Sequence, residues 1–116
     1  MRRLLAATLL VTLWARPVGA HGEAEWIERG GYKNSAGELC CGERDCGVKI
    51  GGQISHIPGG YNVNATFQIG EGINSQIVHV KEFVPESEAT PSPDGAYWRC
   101  EWGGQRKCFF APPENM

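Results

Sequence analysis

Cys40-Cys41-Gly42-Glu43-Arg44-Asp45-Cys46 holds three of the five cysteines of a 116-residue chain. The other two, Cys100 and Cys108, flank Gly103-Gly104 near the C-terminus, so bonds between the two clusters close the chain end to end. Disulfides are the expected use of such cysteines in a short exported chain that cannot bury a large core. Cys40, Cys41, Cys46, Cys100 and Cys108 are all candidates. With an odd number one is left over, and a Cys40–Cys41 bond is disfavoured because it strains the intervening peptide. The connectivity is otherwise open.

The case for export lies upstream. Arg2 and Arg3 precede an apolar run from Leu4 to Trp14, and Val18-Gly19-Ala20 supplies the small residues of a cleavage site. Residues 1–20 are therefore expected to be a signal peptide. The run is shorter than the roughly 20 apolar residues that span a bilayer, and no later segment approaches that length, so no membrane insertion is expected after cleavage. The remainder, 21–116, is expected to be a single secreted domain, periplasmic or extracellular. Its 8 Lys and Arg against 13 Asp and Glu move the formal charge from −2 to −5. An acidic domain without a basic patch is repelled by phosphate backbones, which argues against nucleic acid as a partner.

Downstream of the cysteine cluster the chain turns β-rich. Tyr61, Val63, Ala65 and Phe67 alternate with Asn62, Asn64, Thr66 and Gln68, the period of a strand with one apolar face. Val48 to Ile50 and Ile54 to Ile57 read as strand pieces broken by Gly51-Gly52, with Pro58-Gly59-Gly60 as a turn. Ile73 to Val84 reads as extended chain, and 85–95 as a loop ending in the turn Ser92-Pro93-Asp94-Gly95. Tyr97 to Trp102 and Arg106 to Phe110 form a hairpin. With Gly103-Gly104-Gln105 as its loop, Trp102 faces Arg106 and Cys100 faces Cys108. Residues 111–116 are expected to fray.

On the N-terminal side, Glu23 to Arg29 runs from acids to an arginine before Gly30-Gly31, the charge order and stop of a short helix. Ser35-x-x-Glu38 matches a capping box, which predicts a helical turn carrying Cys40 and Cys41. The expected fold is mostly β, a small disulfide-stapled antiparallel domain with a short N-terminal helix.

These motifs together resemble a group of small secreted bacterial proteins of unknown function. The resemblance rests on Trp26, the Cys40 to Cys46 cluster, Gly59-Gly60-Tyr61, Val84-Pro85, Ser92-Pro93-Asp94-Gly95-Ala96-Tyr97, Cys100, and Cys108 to Pro113, and covers nearly all of the exported part. The departure is Ala96, which moves the aromatic pair to Tyr97-Trp98 where the group often has an aromatic followed by His. The resemblance implies one domain, secretion and disulfides, and carries no chemistry.

Candidate chemistry is sparse. Cleavage after Ala20 makes His21 the first residue, whose α-amine and imidazole can chelate Cu(II), with His56 or His79 as a further imidazole. A four-thiolate zinc site from Cys41, Cys46, Cys100 and Cys108 is loosely spaced and competes with oxidation. No Cys-x-x-Cys, Gly-x-Ser-x-Gly or His-Glu-x-x-His occurs. Glu43 and Asp45, separated by Arg44, read as a solvated turn, and no nucleophile, base and orienter can be assembled. Trp98 and Trp102 can serve as core or anchor a partner. The sequence therefore favours an exported binding or structural protein, with a protein or small ligand as partner and no catalytic activity. A copper-binding protein using His21 is the alternative, and an enzyme of unknown type ranks third.

Overall fold

The computed structural model describes residues 24–41, 44–70 and 72–113. A short helix α1 (Glu25–Gly30) precedes six strands: β1 (Cys46–Ile57), β2 (Gly60–Ile69), β3 (Gln76–Pro85), β4 (Ala89–Pro91), β5 (Trp98–Trp102) and β6 (Gln105–Ala111). Helix α1 has Glu25 and Glu28 in its first turn and Arg29 in its last, and Gly31 ends it in the left-handed conformation. The strands form one sheet in the order β3-β2-β1-β5-β6-β4. All neighbours are antiparallel except β4 and β6, which run parallel.

Directly opposed residues share a face, so the register sorts the side chains into two layers. Tyr61, Val63, Ala65 and Phe67 of β2 lie with Val80 and Val84 of β3 and with Phe109 and Ala111 of β6. Tyr61 and Phe109 come within 5.4 Å, centroid to centroid, although β1 and β5 separate their strands. The sheet is therefore curled into a half-barrel with this layer on its concave side. An ion-pair network spans the concavity: Arg99 Nε donates to Glu82 Oε2 at 2.8 Å, and Arg106 reaches Glu82 Oε1 at 3.1 Å. Arg99 also pairs with Glu101, and Arg106 with Glu88. Burial pulls the Arg99 guanidinium down, and the Glu82 and Glu101 carboxylates more than reverse it, so the charge is held.

The convex side carries Cys46, Val48, Trp98, Cys100, Cys108 and Phe110, covered by Ala24, Ile27 and Cys40. Trp26 sits edge-on to Tyr32, Trp98 and Phe110 over this layer. Asp94 clamps it: Oδ2 accepts from the Trp98 indole at 2.9 Å and from the Trp26 indole at 3.2 Å, while Oδ1 accepts from the Ser92 hydroxyl and the Ala96 amide. Two disulfides, Cys40–Cys108 and Cys46–Cys100, run through the same layer. Cys100 is opposed by Cys46 on one side and by Cys108 on the other, and the bond forms with Cys46 because Cys40 reaches over Cys108.

Several expectations are corrected. Cys40 and Cys41 do not sit on a helical turn: Lys33 and Leu39 form an antiparallel bridge, and the Asn34 side-chain oxygen accepts from the amides of Ala36 and Glu38. Asn34 captures the donors that a cap at Ser35 needs. Gly51-Gly52 does not break the strand. β1 continues through a bulge at Ile50, and Gly52 (φ +83) lets the strands close where a Cβ would lie 2.4 Å from the Asn64 carbonyl. In the last hairpin Trp102 faces Gln105, not Arg106, while Cys100 does face Cys108. Gly103 and Gly104 both have positive φ, the two-residue turn that matches strand twist, and Lys107 becomes the extra residue of a bulge. Within 85–95 the chain makes a 3-10 turn at Glu86–Glu88 and then β4, so it is a loop only in part. Ala111 is buried in β6 rather than frayed, and residues 114–116 lie outside the described residues.

Candidate functional site

Helix α1 and the 32–41 segment cover only the half of the convex face built by β5, β6 and the start of β1. The other half, over the end of β1 and over β2 and β3, is uncovered, polar across its middle and with Ile77 and Phe83 exposed on the edge strand β3. Gln53 and Ser55 from β1, Asn62 and Asn64 from β2, and His79 and Lys81 from β3 line a shallow depression of about 580 Å³. The alternation that buries Tyr61, Val63, Ala65 and Phe67 is what presents the intervening amides outward. Thr66, opposed to His79, belongs to the same row.

His79 is fixed within this row. Its Nε2 lies 3.0 Å from Asn64 Oδ1 and its Nδ1 lies 2.9 Å from Thr66 Oγ1. An amide oxygen only accepts, so Nε2 carries a proton, and in the neutral ring the Thr66 hydroxyl donates to Nδ1. Both ring nitrogens are thereby used, and the Asn64 amide nitrogen has no partner among the described residues. Lys81 takes part in none of the ion pairs among them, and the Glu82 carboxylate lies on the opposite, concave face with Arg99 and Arg106. The depression thus offers uncharged donors and acceptors with one ammonium group beside them.

The histidines do not come together. His56 opposes Tyr61 on the concave face, stacks on its ring at 4.2 Å, and meets Glu86 Oε1 at 2.7 Å, whereas His79 opposes Thr66 on the convex face. A sheet lies between them, so they cannot share an ion. His21 lies outside the described residues, as do Gly42 and Glu43. Among the described residues no group of three or more His, Cys, Asp or Glu is placed to hold a metal. The four-thiolate arrangement is overturned, because Cys46, Cys100 and Cys108 are consumed in disulfides.

Cys41 is the cysteine left free and is exposed. It lines a second depression of about 480 Å³ with Glu28, Tyr32, Leu39, Arg44 and Asp45. Burial pushes its thiol up, a hydrogen bond to Asp45 adds to this, and the charges of Asp45 and Glu28 act in the same direction. A thiol kept protonated is a poor nucleophile and a poor metal ligand. The tryptophans separate: Trp98 is 1% exposed and belongs to the core, while Trp102 is 63% exposed with the Lys107 ammonium 6.0 Å from its ring centroid. Trp98 is therefore no surface anchor.

Comparison with known protein families, curated proteins and solved structures finds no match to this chain. Among the described residues no helix is long and apolar enough to cross a membrane. Reading along the sequence missed the polar row, because each of its members is an ordinary outward residue. Only the pairing of three strands makes them neighbours. The available signal was the run Asn62, Asn64, Thr66, Gln68, in which every outward position of a strand is an uncharged hydrogen-bonding residue.

Proposed function

We propose that this chain is an exported, disulfide-stapled binding protein that holds a polar, hydroxyl-rich ligand across the uncovered outer face of β1, β2 and β3. The observation that carries this reading is the row Gln53, Ser55, Asn62, Asn64, Thr66 and His79, ordered on a rigid sheet around the depression of about 580 Å³. Binding sites place a few convergent polar groups to fix orientation, and uncharged amides and hydroxyls suit sugars better than they suit ions. Lys81 favours a ligand that also carries a carboxylate. Export is supported by the leader-like residues 1–20 and by two disulfides, which persist in oxidising compartments.

The test is a heteronuclear NMR titration of the exported protein with neutral and uronic-acid oligosaccharides. Shifts confined to β1–β3, lost in Asn64→Ala and weakened for the acidic sugars in Lys81→Gln, are expected. Perturbation that maps to the Cys41 depression or to Trp102, or none with any sugar, overturns the reading.

A further inference from the structure

β3 is an edge strand: it pairs with β2 alone, and its other side offers a row of backbone N–H and C=O groups. It has 10 residues, whereas β4 on the opposite edge has 3. Natural edges are usually kept short or charged because an open edge templates a further strand. Gln76 to Val80 carries no formal carboxylate or ammonium group, and the outer side of β3 exposes Ile77 (59%) and Phe83 (46%). These two apolar side chains lie symmetrically about Val80.

We propose that β3 pairs antiparallel with β3 of a second copy about a twofold axis at Val80, joining two half-barrels into one continuous sheet. Opposed residues must share a face, which restricts a self-paired strand to registers centred on a residue. Centred on Val80, Ile77 opposes Phe83 at both ends, His79 opposes Lys81, and Val78 opposes Glu82. Centred on Lys81, two ammonium groups oppose each other and Ile77 falls on Pro85. Centred on His79, Ile77 meets Lys81 and Phe83 meets Ser75, before the partner strand begins. Only the Val80 register sets both exposed apolar side chains against each other without opposing like fixed charges. Glu82 is no obstacle, because its carboxylate is held by Arg99 and Arg106 of its own half-barrel. The contact is isologous and closes after two copies, so it does not propagate into a fibre. It is independent of the ligand reading above.

Sedimentation equilibrium on the exported protein carrying Cys41→Ser, which removes thiol-linked dimers, is the experiment. A concentration-dependent dimer is expected, with Ile77→Lys weakening it about tenfold, since one substitution alters two symmetry-related cross-strand pairs. Mixing Ile77→Lys chains with Phe83→Glu chains should restore association as a hetero-pair. A monomer at every concentration reached, or a dimer whose affinity neither variant changes, overturns the proposal. Should Ile77→Lys disturb the fold by circular dichroism, oxidative cross-linking of Ile77→Cys chains mixed with Phe83→Cys chains replaces it. Excess hetero-dimer over either homodimer supports the pairing, and a statistical mixture overturns it.

Discussion

Cys41 and Cys40 are adjacent in the chain and opposite in fate. Cys40 is 3% exposed and bonded to Cys108, whereas Cys41, at φ +66, turns the other way and stays free. Because burial and Asp45 hold its thiol above the ordinary range, little thiolate is present near neutral pH. Alkylation of the native protein at pH 8 should therefore be slower than in the urea-unfolded chain, with the difference closing as the pH rises past the folded value. Asp45→Asn should speed the native reaction by removing a nearby negative charge and replacing a carboxylate acceptor with a weaker, neutral one. Equal native and unfolded rates, read by mass spectrometry, would show that the surroundings do not act on the thiol. Asp94 illustrates the limit of local reading at this scale. Its place in Ser92-Pro93-Asp94-Gly95 identifies a turn, but its bond to the Trp26 indole spans 68 positions and follows only from packing.

At the scale of elements, the concave ion network is the feature that ties the edge strand β3 to β5 and β6. Arg99 exposes 9% of its side chain and Glu82 21%, so removal of Glu82 takes one of two carboxylate partners from a largely desolvated guanidinium. Glu82→Ala should cost about 3 kcal/mol in urea melts, the order seen when a buried pair is broken from one side. Replacing Glu82 and Arg99 together by Leu should cost less than the two single changes added, because neither of the two then faces the other's gap, and Arg106 keeps Glu88. Additive losses would mean that the pair is solvated rather than buried. Of the elements, β2 was the most legible, since Tyr61 to Gln68 alternates strictly and local pattern and burial agree. The segment at Ser35 was misread because two local motifs competed there. The Asn34 side chain reaches the amides of Ala36 and Glu38, and that geometry leads to a bridge between Lys33 and Leu39 instead of a helical turn.

Across the whole molecule the two disulfides are nested, with sequence separations of 68 and 54. Either one alone closes a long loop, worth about 4 kcal/mol in the chain-entropy model. Once the inner bond is in place, the outer one closes an effective loop of only roughly fifteen residues, worth about 3 kcal/mol. Serine at both Cys40 and Cys108 should therefore cost about 3 kcal/mol, and serine at all four positions about 7 kcal/mol, a large share of the roughly 5 to 15 kcal/mol that folded domains hold. Urea melts of the two variants separate these cases. If the first is as unstable as the second, the bonds act as one unit and not as nested closures.

Composition, the leader-like residues 1–20, the cysteine clusters and the period-2 run in β2 are local properties, and they were enough to determine a small disulfide-stapled β domain with a short helix. Disulfide partners, strand order and the meeting of outward side chains depend on contacts between residues tens of positions apart. Cys100 faces Cys46 and Cys108 equally as a strand neighbour, and the choice falls to Cys46 only because Cys40 is carried across Cys108. The polar row around His79 and the open edge of β3 arise in the same way, from the curl and order of the sheet. No short-range pattern encodes either, since a strand's own sequence specifies its two faces and not which neighbours it will meet.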